Sequence, residues 1–335
     1  MSLTYPDRLF PVESRLRDMA RAFYESVRDL PIISPHGHCE PRWFAQNKRF
    51  PNPAELLVVP DHYLLRMLAS QGVPLTDLGV LRADGGKTEE DPRAIWQRFA
   101  AHYHLFRGTP SAIWLDHSFE HLFGIDEVLS ADTANAYYDH IDKCLGRDEF
   151  RPRALFEQFN VELLATTDAA TDPLPWHQQL RDSGWKGRIV TTYRPDATVD
   201  PEFSGFTKTV AELGEITRED TSSWAGYLAA HRSRRAYFKS FGATATDHGH
   251  PSARTADLPP AEAEALFAKV LASNYTPDEA DLFRGQMLTE MARMSLDDGL
   301  VMQIHAGSRR NHNADIFACH GRDMGFDIPG RTDYV

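Results

Sequence analysis

The chain has 335 residues, of which 42% are hydrophobic and 25% are charged, an ordinary composition for a globular protein. Its 36 basic and 48 acidic side chains give a formal charge of −12 without a long basic stripe, which argues against nucleic-acid binding. Three widely spaced cysteines favour a reduced protein over a disulfide scaffold. Neither a secretory signal nor a stretch of about 18 apolar residues is visible, so we expect a cytoplasmic protein that does not bind membranes.

The first predicted elements are a helix and a strand that ends in two histidines. Residues 14–30 carry apolar side chains at helical spacing, and a proline ends this helix. The strand that starts at Ile32 leads into His36 and His38. Alternate residues of an extended strand point to the same side, so the two imidazoles project together at its carboxyl end. Such a pair suits a divalent metal, above all zinc, and two hydrogen-bonded loop histidines are the alternative.

The region between residues 40 and 153 contains no convincing strand. Its apolar spacing and start signals predict helices at 53–58, 61–71, 92–103, 111–122 and 133–146. Asp61 is a good cap for the second of these helices, which places Tyr63 in its first turn. The region is rich in aromatic side chains that we expect in the core: Trp96, Phe99, Tyr103, Phe106, Trp114 and Phe119. We interpret residues 40–153 as a helical insert after the first strand.

Strands and helices alternate in the rest of the chain. We predict strands at 161–167, 187–193, 242–248 and 300–305. We predict helices at 152–158, 173–182, 207–213, 222–241, 261–273 and 277–298. With the strand near residue 32 this makes five strands, and the alternation predicts a parallel sheet in an α/β protein. The predicted segments are therefore residues 1–39, the insert 40–153, and the strand–helix units 154–335.

Histidines collect at the predicted carboxyl ends of the strands, where barrel and doubly wound enzymes place their active sites. His305 ends the fifth strand and could complete a three-histidine zinc set with the pair on the first strand. A second His-x-His, at His248 and His250, follows Asp247. We favour Asp247 or His248 as a group that orients a metal ligand, over direct metal binding by either residue.

Arginines near the same strand ends are candidate anion-binding groups. Arg194 precedes a proline that keeps it extended, and its guanidinium can hold a carboxylate through two parallel hydrogen bonds. A structural ion pair with Asp196 or Asp168 is the alternative. Arg309 and Arg310 follow the fifth strand, in a loop over the strand ends, where anion binding and solvation are both open.

The ordered set of motifs resembles uronate isomerase (glucuronate isomerase), a family of the amidohydrolase superfamily. The resemblance extends over about residues 5–335 and rests on His36-Gly37-His38, Asp61-His62-Tyr63, Thr166-Thr167-Asp168, Tyr193-Arg194-Pro195-Asp196, residues 240–248, Gln303-Ile304-His305-Ala306-Gly307, Arg309-Arg310-Asn311-His312-Asn313 and Gly325-Phe326-Asp327. It implies a distorted (β/α)₈ TIM barrel of the metal-dependent hydrolase type, of which this chain covers about the first five strands. The family also carries an aspartate at the end of strand eight, which has no counterpart here, so we expect a shortened form.

The resemblance implies the interconversion of D-glucuronate with D-fructuronate, and of D-galacturonate with D-tagaturonate, through a cis-enediol. It also implies a divalent metal, zinc or another. The resemblance implies metal binding by His36 and His38, catalysis by Tyr63 and substrate binding by Arg194, and it matches His305 to a histidine on strand five. From the chemistry and from position near the site, His305 is also a predicted catalytic donor and Arg309 a predicted substrate-binding residue. The expected partner is a small uronate, and the exposed strand edges of a partial barrel favour a homo-oligomer.

Two other functions remain open on the sequence alone. A zinc hydrolase of the same superfamily would need no arginine for a distal carboxylate, so replacing Arg194 with alanine would barely change its activity. A non-catalytic sugar-acid or metal-binding protein would be stabilised by its ligand without forming product.

Overall fold

A computed structural model describes residues 2–321 and 323–334. The chain is divided into two units, each built from three segments. The first unit comprises Met1–Pro31, Asn47–Asn160 and Arg310–Ile328, and the second comprises Ile32–Gln46, Val161–Arg309 and Pro329–Val335.

The strands within the described residues are β1 (Ile32–Ser34), β2 (Val161–Ala169), β3 (Arg188–Arg194), β4 (Ala245–His248), β5 (Val301–Ile304), β6 (Ser308–Arg309) and β7 (Ile328–Pro329). The first five belong to the second unit and form one parallel sheet in the order β1-β2-β3-β4-β5. The predicted α/β class and all five predicted strands are therefore confirmed.

The helices, in chain order, are α1 (Ser14–Val27), α2 (Pro41–Gln46), α3 (Pro53–Leu57), α4 (His62–Ser70), α5 (Pro92–Ala101), α6 (Pro110–His117), α7 (Ala134–Leu145), α8 (Pro152–Gln158), α9 (Pro175–Asp182), α10 (Asp196–Val199), α11 (Phe206–Thr217), α12 (Trp224–Ser240), α13 (Pro260–Leu271), α14 (Pro277–Asp298) and α15 (Ala314–His320). The described residues between β1 and β2 contain helices and no strand, as predicted.

The five-stranded sheet is curled. Its two edge strands, β1 and β5, approach each other at their carboxyl ends. Gln303 in β5 donates from Nε2 to the Pro35 carbonyl, directly after β1, at 2.9 Å. Four strand spacings of about 4.8 Å would keep the edge strands of a flat sheet roughly 19 Å apart. The order of the strands and the curl of the sheet both correspond to part of a barrel.

Helices alternate with the strands of the second unit, and the helices between β3 and β5 share one apolar core. Aromatic side chains from the strands and helices meet there, among them Tyr193, Tyr227, Phe238, Phe267 and Phe283. The longest helix, α14, starts with a capping box and ends at Gly299, whose φ of 77° suits glycine. This left-handed turn directs the chain into β5.

The first unit is helical and has its own aromatic core. Of the aromatic residues predicted to form it, all are buried except Trp114, whose side chain is 60% exposed. The prediction for Trp114 was wrong because α6 directs Ala112 and Leu115 towards the core, and a residue between them points elsewhere on the helix.

Three short helices, α2, α10 and α15, were not predicted. Each spans fewer than eight residues, so its apolar pattern repeats at most once, a weak signal that α3 and α8 share. Helix α1 was predicted, and none of its residues is buried. Its apolar face, formed by Leu16, Met19, Phe23 and Val27, is exposed. None of the helices within the described residues has both the length and the apolar character needed to span a membrane.

Candidate metal centre

The carboxyl ends of parallel strands lie at one edge of a sheet, and four strands of the second unit place polar residues there. His36 lies two residues after β1, Arg194 ends β3, Asp247 lies in β4 and His305 follows β5. The segment after β1 lies against β2, where the Thr167 hydroxyl donates to the Gly37 carbonyl at 2.9 Å. A Cβ on residue 37 would lie 3.0 Å from the backbone oxygen of Ala165, so glycine permits this close approach.

Three of these side chains converge. One potential ligand atom from each of His36, Asp247 and His305 lies within 4.8 Å of the other two. His305 Nε2 is 2.6 Å from Asp247 Oδ1, and His36 Nδ1 is 3.8 Å from the same oxygen. The carboxylate is completely buried, whereas the two imidazoles are 34% and 39% exposed. The cluster is therefore open to a ligand on the histidine side.

The charge of Asp247 persists in spite of its burial. Desolvation acts to raise the pKa of this carboxyl, but contact with His305 and the charge of Arg194 outweigh it and lower the pKa. The same contact raises the pKa of His305, against the opposing effect of partial burial. The contact between Asp247 and His305 therefore favours a charged carboxylate beside a protonated imidazole.

The donor set fits a metal ion on two counts. Both oxygens of Asp247 are buried, and their nearest cationic neighbours, His305 and Arg194, form no well-directed hydrogen bond with them, which leaves their capacity as acceptors unused. Two imidazole nitrogens and one carboxylate oxygen are also ligands that zinc prefers, and three protein ligands leave a coordination position open. The residues present are thus suited to a divalent metal.

His38, the second predicted metal ligand, lies beside this cluster. Its ring centroid is 5.1 Å from that of His36. Desolvation and the charge of Arg194 lower the pKa of His38, so the ring is neutral over a wider pH range. Among the described residues, the set of three mutually close donors contains Asp247 and not His38. The metal-binding role of His38 stays a prediction.

Arg194 is held by two carboxylates. Its Nε donates to Asp196 at 2.8 Å, and its Nη1 is 3.3 Å from Asp247 Oδ2. The ion pair with Asp196, left open by the sequence, is therefore present, whereas Asp168 accepts two threonine hydroxyls instead. A Cβ on Gly249 would lie 2.7 Å from Arg194 Nη2 and from Asp196 Oδ2, so a glycine is needed beside the guanidinium.

The second His-x-His lies deeper than the first. His248 and His250 are both buried, and Nε2 of His248 forms a 2.8 Å hydrogen bond with the Thr246 hydroxyl. Burial lowers the pKa of both imidazoles. Neither residue joins the three-donor cluster among the described residues. Their neighbour Asp247 does belong to the cluster, although the sequence favoured Asp247 as a group that orients a metal ligand. Its position at the end of a strand was the signal that could have indicated membership of the cluster.

Gln303 was part of a sequence motif but was given no role of its own. Its Oε1 lies 2.9 Å from His36 Nδ1, and its Nε2 donates to the Pro35 carbonyl. Strand β5 therefore contacts the segment that carries the first histidine.

Tyr63 and Arg309, the remaining predicted site residues, lie elsewhere in the chain. Tyr63 belongs to the first unit, where Asp61 caps α4 by accepting the Tyr63 backbone N–H at 2.9 Å. The Tyr63 side chain is 51% exposed and lines a cavity of about 410 Å³ together with Trp114. Arg309 is exposed on β6. The structure thus brings together His36, Arg194 and His305, and the roles of Tyr63 and Arg309 stay predictions.

A buried carboxylate and two partly exposed imidazoles at the carboxyl ends of a curled parallel sheet define an α/β enzyme with a candidate metal centre. The sequence matches the family described as glucuronate isomerase over residues 13–334. The chain therefore belongs to the glucuronate isomerase family and is an isomerase.

Individual relatives agree with this assignment. A uronate isomerase of Mesorhizobium japonicum is 60% identical over the whole chain, which covers 71% of that protein. A uronate isomerase of Rhizobium meliloti is 61% identical over 98% of the chain, which covers 70% of that protein. The crystal structure of glucuronate isomerase from Caulobacter crescentus is similar with a TM-score of 0.95 and 53% identity, over 99% of this chain and 70% of that one.

Proposed function

We propose that the chain interconverts hexuronates by aldose–ketose isomerisation in uronate catabolism. The proposed reactions are D-glucuronate to D-fructuronate and D-galacturonate to D-tagaturonate, each through a cis-enediol. The observation that carries the proposal is the convergence of His36, Asp247 and His305 beside Arg194, in a chain of the glucuronate isomerase family.

Zinc is the proposed metal, and another divalent ion with a preference for imidazole and carboxylate could take its place. His36, Asp247 and His305 would hold it, with His38 at their side. When bound, the metal would supply Lewis-acid stabilisation of the negative charge that develops on the substrate.

The chain's own residues must move two protons. The proton on C2 of the aldose is removed and a proton is returned to C1, while the hydroxyl proton on O2 passes to O1. Tyr63 is the proposed acid–base group, and the exposure of its side chain supports that role. His305 is the proposed hydrogen-bond donor near the developing charge, through the ring N–H that metal binding would leave free.

Arg194 is proposed to bind the substrate carboxylate and so fix the position of the sugar. A guanidinium has five N–H donors, and the contact with Asp196 uses Nε, which leaves donors for a second anion. Arg309 is the second proposed substrate-binding arginine, and its exposure supports this role.

We also propose the larger architecture. The sheet would be part of a distorted (β/α)₈ barrel of the metal-dependent hydrolase type, built from residues 1–39 and 154–335, with residues 40–153 inserted after its first strand. Sheet order and family membership support this arrangement. The enzyme would act in the cytoplasm, and unpaired edges on β1 and β5 favour a homo-oligomer.

The test is conversion of D-glucuronate to the ketose by the purified chain, followed by proton NMR. We expect ketose in the presence of Zn²⁺, loss of turnover after chelation, and recovery when Zn²⁺ is restored. His305→Ala should lose activity, whereas His104→Ala, at an exposed histidine of the first unit, should keep it. A folded, zinc-loaded chain that forms no ketose from either aldose would overturn the proposal.

A further inference from the structure

We propose that Gln303 is a positioning residue that accepts a hydrogen bond from His36 Nδ1 and so fixes the tautomer and orientation of this imidazole beside the candidate metal centre. The proposal rests on the metal centre proposed above. It assigns a role to a side chain that contacts His36, one of the three donors.

The orientation of the Gln303 amide follows from its two partners. Its Nε2 is 2.9 Å from the Pro35 backbone oxygen, which can only accept a hydrogen bond, so the NH₂ group must face that carbonyl. The amide oxygen then faces His36 Nδ1, at 2.9 Å. A flipped amide would place two oxygens against each other, and the network excludes it.

The amide oxygen in turn fixes the imidazole. Because Oε1 carries no proton, His36 Nδ1 must donate, and a neutral imidazole has only one N–H. Nε2 therefore carries the free lone pair. Asp247 Oδ1 does not compete for the Nδ1 proton, since it lies 3.8 Å away, beyond hydrogen-bonding distance.

The position of Gln303 in β5 explains how one strand can serve two histidines. Gln303 and His305 are two residues apart, so they lie on the same side of the extended chain. One strand end thus supplies a donor of its own and orients the donor that follows β1. A ligating histidine commonly donates its second ring N–H to such an acceptor, and loss of that partner typically weakens metal binding about 10–100-fold.

The experiment reads the tautomer directly. Long-range ¹H–¹⁵N NMR of the metal-free chain at about pH 8, well above the ordinary pKa of histidine, distinguishes Nδ1–H from Nε2–H imidazoles. The His36 signals are assigned by their absence in His36→Ala. We expect the Nδ1–H form in the wild type and a mixture of both forms in Gln303→Leu.

Zn²⁺ titration by calorimetry provides the second readout. Gln303→Leu should bind Zn²⁺ about 10–100-fold more weakly than the wild type. Gln303→Glu, which keeps an acceptor for Nδ1 but loses the donor to Pro35, should restore both the tautomer and tight binding. Gln97→Leu removes an exposed glutamine from the first unit and should change neither measurement.

The outcomes separate this proposal from the proposed function. An Nε2–H imidazole in the wild type would overturn the role of Gln303 and leave the isomerase assignment standing. Failure of Gln303→Glu to restore the tautomer would also overturn the proposed role of Gln303, because the tautomer of His36 would then depend on the hydrogen bond to Pro35. A wild type that binds no Zn²⁺ would refute the metal centre, while the tautomer of the metal-free chain could still be measured.

Discussion

Breaking the buried ion pair between Arg235 and Asp298 should destabilise the second unit. Arg235 is fully buried in α12, and its Nε and Nη2 donate to the two Asp298 oxygens at 2.6 and 2.9 Å. The same carboxylate accepts the backbone N–H of Leu300, directly before β5. The pair therefore joins α12 to the end of α14 and fixes the entry to the strand that carries Gln303 and His305.

Asp298→Ala should cost about 3 kcal/mol. Removing one partner of a buried ion pair costs roughly 3–5 kcal/mol, because the other charge stays buried without compensation. Arg235 is 1% exposed, but Asp298 is 23% exposed, so we expect the lower end of that range. The matched control is Asp297→Ala, at an exposed neighbour in the same helical turn, for which we expect a change within about 0.5 kcal/mol.

Equilibrium urea unfolding followed by circular dichroism measures the difference, and its pH dependence gives a second check. Burial acts to raise the pKa of Asp298, but the hydrogen bond from Arg235 outweighs it and lowers the pKa. The contribution of the pair should therefore be complete above the ordinary aspartate pKa of about 3.9 and decline as pH falls through the lower folded-state value. A loss below about 1 kcal/mol at neutral pH would refute the reasoning, since it would mean that Arg235 finds compensation elsewhere.

Three further predictions concern the candidate site. Zn²⁺ binding should weaken and release more protons as pH falls, because contact with Asp247 raises the pKa of His305 and the metal competes with the proton for this imidazole; calorimetry in buffers of different ionisation enthalpy measures the release, and a pH-independent affinity would contradict it. Arg194→Ala should raise KM for D-glucuronate at least about tenfold through loss of a charged hydrogen bond, whereas an unchanged KM in steady-state assays would favour the hydrolase alternative. Gly249→Ala should also raise KM, because its Cβ would lie 2.7 Å from Arg194 Nη2 and displace the guanidinium; wild-type kinetics in this variant would show that the guanidinium adapts.

The sheet could be predicted from the sequence because each strand carries a local signal. A short apolar run bounded by polar residues and followed by a helix recurs along the second unit, and alternation with helices indicates parallel pairing. Helices as short as α10, which has four residues, hardly exceed one turn, and the exposure of Trp114 depends on which face of α6 meets the core. Neither property is encoded within a window of neighbouring residues.

The candidate site could be predicted only as a set of strand ends. Position at a carboxyl end was sufficient to anticipate that His36, Arg194 and His305 would lie near one another. It was not sufficient to show that Asp247 contributes a buried carboxylate to the cluster, because side-chain direction depends on the curl of the sheet. The hydrogen bond from His36 to Gln303 has the same origin, since it joins residues 267 positions apart.

The central claim is that His36, Asp247 and His305 form a metal centre, and anomalous X-ray scattering at the zinc edge tests it most directly. Crystals of the chain grown with stoichiometric Zn²⁺ should show one strong anomalous peak, bonded to all three side chains at about 2.0–2.2 Å. The same crystals of Asp247→Asn should lose most of that peak. A zinc peak held by other residues, with these three side chains uncoordinated, would contradict the account.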